Sequence, residues 1–90
     1  MPTANVNRAD LEALLKQLHT FNDSFRNEWQ RLKASWGMLD SRWSDQQKEK
    51  FRRDWDQSVR EMERYLQESD KYIQFLEARV RAVRKFEENT

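Results

Sequence analysis

The sequence predicts an all-α fold: two long antiparallel helices in a hairpin, dimerising into a four-helix bundle. Three observations carry this expectation. The chain has 90 residues with one glycine and one proline. Two long runs of apolar residues recur at steps of three and four, the period of one helix face, with no strand-like alternation. Between them lies a short cluster of turn-forming residues. A 37% share of charged residues suits long exposed helices, and five Phe, four Trp and two Tyr supply more apolar bulk than disordered chains carry.

The first helix is expected over about residues 7–39. Its seam reads Leu11, Leu14, Leu18, Phe21, Phe25, Trp29, Leu32, Trp36 and Leu39, with one slip between Phe25 and Trp29. Asn7, with Asp10 three residues later, offers side chains to the free N–H groups of the first turn. Gly37 either lies in the last turns or ends them. The stretch "DSRWSDQQ" follows, and the turn is placed at 40–44. Ser44 with Gln47 has the S-x-x-Q form of a capping box, so the second helix is expected over about residues 45–87.

The second seam reads Phe51, Trp55, Val59, Met62, Leu66, Ser69, Ile73, Leu76, Val80, Val83 and Phe86, with Ser69 its one polar member. At about 1.5 Å per residue, forty such residues span about 60 Å, the length of a rod. Folding the two helices about the turn pairs Trp36 with Phe51, Leu32 with Trp55, Phe25 with Met62, Phe21 with Leu66, Leu14 with Ile73 and Leu11 with Leu76. These residues, with Leu18 and Trp29, form the expected hairpin core.

Two features then call for a partner. Val80, Val83 and Phe86 overhang, because their counterparts would lie near positions 7, 4 and 1. A lone hairpin also buries each helix on one side only. Leu15, Val59, Tyr65, Tyr72 and the Trp43 turn are therefore the expected contacts with a second chain, with the overhang reserved for a larger partner. The competing fold is one continuous helix of about 120 Å in a coiled-coil scaffold. It would carry Gly37 and the Asp-Ser turn chemistry in mid-helix to no purpose.

Little catalytic chemistry is available. Without cysteine the chain forms no disulfide or Cys-based zinc site, and its one histidine, His19, makes no two-histidine metal motif. Carboxylates alternate with Lys and Arg as on a solvated face, and no Gly-rich phosphate loop or nucleophile–base pair is present. The reading is a protein that is not an enzyme and needs no cofactor. "RVRAVRK" at 79–85 and the basic knot at 48–53 could meet phosphate, but Glu77, Glu87, Glu88, Asp54 and Asp56 dilute them. The formal net charge is only +1, so nucleic acid is the weaker alternative. "MPTANVNRAD" has neither an apolar run nor a basic leader, and no run is long enough to span a bilayer. A cytoplasmic protein, or one exported without a cleavable signal peptide, is expected.

Two seamed helices joined by a short Trp-containing turn resemble the WXG family, the early-secreted-antigen-like proteins associated with type VII secretion. In that family a Trp-x-Gly turn is followed by an aromatic on the second helix. Here Trp43-Ser44-Asp45 occupies that place, and Phe51 follows eight residues after the tryptophan. Asp45 stands where the family has glycine. The family's Tyr-x-x-x-acid export signal is absent, since Ser69 follows Tyr65 and Leu76 follows Tyr72 at that spacing. The resemblance implies a dimeric substrate, adaptor or chaperone. Its partners would be a second copy, a related hairpin, a secretion component or a larger effector.

Overall fold

A computed structural model describes residues 6–89. Residues 1–5, which hold part of the stretch "MPTANVNRAD" and the counterparts of the expected overhang near positions 4 and 1, lie outside the described residues. Two helices account for the fold: α1, Arg8–Asp40, of 33 residues, and α2, Gln47–Glu88, of 42 residues. They run antiparallel in a body of 68 × 20 × 13 Å with a radius of gyration of 20.1 Å. A globule of this length would have a radius of gyration of about 12 Å. The thickness of 13 Å is close to the diameter of one helix, about 10–12 Å. The hairpin is therefore a single layer, and its length of 68 Å excludes the continuous 120 Å helix.

The ends of α1 follow from local chemistry. Asn7 is the N-cap, its backbone extended and its side-chain oxygen accepting from Ala9 N at 2.7 Å. Gly37 lies inside α1, which continues through Asp40. A Cβ added at Gly37 would meet nothing within 4 Å. At the C-terminus the Ser41 and Trp43 N–H groups return to the carbonyls of Gly37 and Leu39. No basic residue of α1 lies in its last turn. Lys48 of α2 serves instead, its Nζ 2.8 Å from the Asp40 carbonyl oxygen and 3.0 Å from Asp40 Oδ1. A cation at the negative end of the helix dipole is favourable, and this one also closes the turn.

The start of α2 differs from the capping box expected at Ser44. The helix begins at Gln47, and Asp45 supplies the cap: its Oδ1 accepts from Gln47 N at 2.9 Å. A carboxylate is a stronger acceptor than a hydroxyl and suits the positive end of the dipole.

The register of the hairpin also differs from expectation, in an instructive way. Near the turn the expected Trp36–Phe51 pair forms, with ring centroids 5.1 Å apart, and Trp36 also meets Trp55 at 5.7 Å. Farther from the turn, Asn22 rather than Leu18 takes the place opposite Ser69, and its Nδ2 donates to Ser69 Oγ. With Asn22 as a seam residue, Leu11, Leu15, Leu18, Asn22, Phe25, Trp29, Leu32 and Trp36 follow steps of four and three with no slip. The slip read between Phe25 and Trp29 came from counting Phe21 as core.

Several residues change place as a result. Leu14 and Phe21, expected in the core, are 52% and 54% exposed, and Leu32 is exposed as well. Leu15, expected to face a second chain, is only half-buried and lies beside Val80 in the hairpin. Val80 and Val83, expected to overhang, are 7% and 3% exposed. The far ends are tied: Arg8 Nε lies 2.6 Å from Glu87 and Arg84 reaches Glu12 at 2.8 Å. Val80 and Val83 do not overhang, because shifting the register by one turn brings α1 alongside these valines, whereas Phe86 stays exposed.

The buried apolar core among the described residues is small: Trp29, Ile73, Val80 and Val83. Trp29 stacks on Trp55 at 5.6 Å, with Lys33 Nζ 5.7 Å above its ring. Asn22 and Ser69 are the most completely buried side chains of the described hairpin.

Candidate functional site

The helical repeat sorts the side chains beside the seam into two contrasting flanks. On one, Glu12, His19, Arg26, Lys33 and Asp40 recur every seven residues of α1, facing Arg84, Glu77, Asp70 and Lys48 of α2. Ion pairs cross the seam at Arg84–Glu12, 2.8 Å, Arg26–Asp70, 3.1 Å, and Lys48–Asp40, 3.0 Å. His19 lies 3.9 Å from Glu77 and pairs with it when protonated. The Glu87 carboxylate, first by its hydrogen bond and then by its charge, raises the Arg8 guanidinium above its ordinary pKa. A hollow of about 590 Å³ on this flank is rimmed by Glu12, Lys16, His19, Asp23, Glu77 and Arg84. It is an open gap between paired charges, and no group of three or more potential metal ligands occurs among the described residues.

The other flank is apolar. The seam's own Leu11, Leu18, Phe25 and Leu32, with Leu39, recur every seven residues of α1 and border this flank, with Leu14 and Phe21 just outside them. Phe51, Tyr65, Tyr72 and Phe86 fall on the corresponding line of α2. Leu14, Phe21, Leu32, Leu39, Phe51, Tyr72 and Phe86 are all exposed. Two shallow grooves run along this side and share Leu32. One, of about 270 Å³, lies between Phe25, Trp29 and Met62, and the other, of about 180 Å³, between Trp36, Leu39 and Phe51. Apolar patches of this kind on a small protein mark interaction surfaces.

Tyr65, expected to contact a second chain, belongs to the hairpin. Its ring packs on Phe25 at 5.4 Å and edge-on to Phe21 at 6.2 Å. Its hydroxyl donates to Asn22 Oδ1 at 3.1 Å. Val59 is half-buried along the seam, whereas Tyr72 and Phe86 stay exposed. Sequence reasoning missed Asn22 altogether. The available signal was the polar gap at Ser69, which calls for a polar residue opposite.

At the turn, Trp43 is fastened at both ends. Its ring lies 5.8 Å from Phe51, and its Nε1 donates to Asp45 Oδ1 at 2.7 Å. One carboxylate oxygen thus holds both the indole and the first turn of α2. No described residue has a positive φ, so the place Asp45 occupies does not require glycine's conformational freedom.

One family model matches, that of WXG100, described as proteins of 100 residues with WXG, over residues 3–88. No curated protein matches, and neither does any solved structure.

Proposed function

The chain belongs to the WXG100 family, whose members are small, secretion-associated helical proteins, and on that premise we propose that it acts as a non-enzymatic interaction module. Two hairpins pair through their apolar flanks into a four-helix bundle, and the dimer serves secretion as a substrate, adaptor or chaperone. The observation that carries this reading is the exposed line of Leu14, Phe21, Leu32, Leu39, Phe51 and Tyr72 along one side of a single-layer hairpin. A monomer with so thin a core leaves this surface in water, whereas burial stabilises by about 25 cal/mol per Å². The ion-paired flank supports the same orientation, since its charges already satisfy one another and remain wet. No described helix is long and apolar enough to cross a membrane.

Sedimentation equilibrium across micromolar concentrations tests the pairing. The expected result is a species of twice the chain mass, 11.1 kDa, that dissociates on dilution. A folded chain that stays monomeric throughout overturns the homodimer. Co-expression with small helical neighbours then decides whether a related hairpin takes the second place.

A further inference from the structure

Beyond this reading, we propose that the buried Asn22–Ser69–Tyr65 cluster is a register lock that selects which of two apolar stripes of α1 faces α2, and so which residues α1 shows to the outside. The two stripes overlap. One runs Leu11, Leu14, Leu18, Phe21, Phe25, and the other Leu11, Leu15, Leu18, Asn22, Phe25. By hydrophobic content alone the first is the better seam, because it puts Phe21 where the second puts an amide. The structure nevertheless adopts the second, with Leu14 and Phe21 half-exposed and Asn22 buried.

Hydrogen bonding accounts for the choice. Ser69 is fully buried in the α2 seam, and its hydroxyl oxygen accepts from Asn22 Nδ2. The amide oxygen of Asn22 in turn accepts from Tyr65 Oη at 3.1 Å. Sliding α1 by one helical turn to bring Phe21 inward would set Leu18 against Ser69 and carry the amide away from it. Ser69 would stay buried without this partner while Asn22 turned out into water, and an unsatisfied buried polar group costs more than a made pair gains. A lone polar pair in an otherwise apolar seam is an established means of fixing register. Here it fixes rotation as well, since the stripes lie one residue apart at Leu14/Leu15 and Phe21/Asn22. Asn22 and Ser69 are positioning residues: they touch no partner, yet they decide that Leu14 and Phe21 lie on the outer flank.

The test reads the hairpin itself and does not depend on pairing. The chain has no cysteine, so spin labels at A13C and E61C are unique, and both sites are exposed. Their separation lies largely along the rod, so one turn of sliding changes it by about 5 Å. Unlabelled chain in excess removes distances between copies. The parent chain is expected to give one distance. Asn22→Leu with Ser69→Ala, which makes both seams apolar, is expected to add a second distance about 5 Å away, in more than about a tenth of the molecules. Adding Phe21→Gln removes the competing stripe and is expected to restore the single distance. A doubly substituted chain that keeps its helicity and its single parental distance overturns the lock. If that chain loses helicity, Asn22→Leu alone is measured, and the same two outcomes decide. A monomeric parent chain would overturn the proposed dimer and leave this result standing.

Discussion

The two flanks of the hairpin bury similar lengths of seam and could hardly differ more in chemistry. Along one, acid and base alternate across the helices from Arg8–Glu87 at the open end to Lys48–Asp40 at the turn. Along the other, aromatic and leucine side chains line up with no helix to cover them. Neither flank carries the stability of the hairpin. Exposed ion pairs contribute about 0–1 kcal/mol each, and exposed rings contribute only what they bury. The charged flank is chemically finished and the apolar flank is not, so the place for a partner follows from what each has left unsatisfied.

Four variants would break or sharpen this contrast. The seam between the flanks sets the scale: Trp29→Ala removes a buried ring stacked on Trp55 and is expected to cost about 3–5 kcal/mol in urea unfolding. A loss below about 1 kcal/mol would mean that the seam does not hold the hairpin. Leu14→Ser with Phe21→Ser should cost the folding of a single hairpin about 1–2 kcal/mol in total, since the Phe21 contact with Tyr65 at 6.2 Å is lost. The same pair should weaken association about a hundredfold, or about 2.7 kcal/mol, by sedimentation. Equal loss of folding and pairing would return these residues to the core.

Gly37→Ala tests the backbone near the turn, where the added methyl has open space. Ala in a helix interior is expected to raise stability by up to about 1 kcal/mol in thermal unfolding, and a loss would mean that Gly37 is needed as it stands. Arg26→Gln breaks one pair of the charged flank and should cost less than about 1 kcal/mol at low salt. Near 1 M salt, where the screening length is about 3 Å, that cost should vanish. A salt-independent loss would show that Arg26 contributes by packing its stem.

Much of the fold is legible in the sequence. The 3-4 spacing of Phe51 through Phe86 marks one face of α2, and Asn7 marks the start of α1, because helix periodicity and capping are local. The site was legible only in part. Leu14 and Phe21 read as core, and Val80 and Val83 as free, because a pattern of apolar residues cannot separate two stripes that share every other member. Only the hydrogen bond between Asn22 and Ser69 separates them.

The sequence by itself determined two helices, a turn placed at 40–44 and a surplus of apolar side chains beyond what one seam can bury. Tertiary structure decided the rest: which stripe of α1 turns inward, where the two ends meet, and which rings stay in water. It also gave Asp45 its task of holding the Trp43 indole and capping α2. The physical reason is one of range. Helix formation is set by neighbours three and four residues away, whereas register is set by a buried amide and hydroxyl 47 residues apart, whose need for each other no local pattern displays.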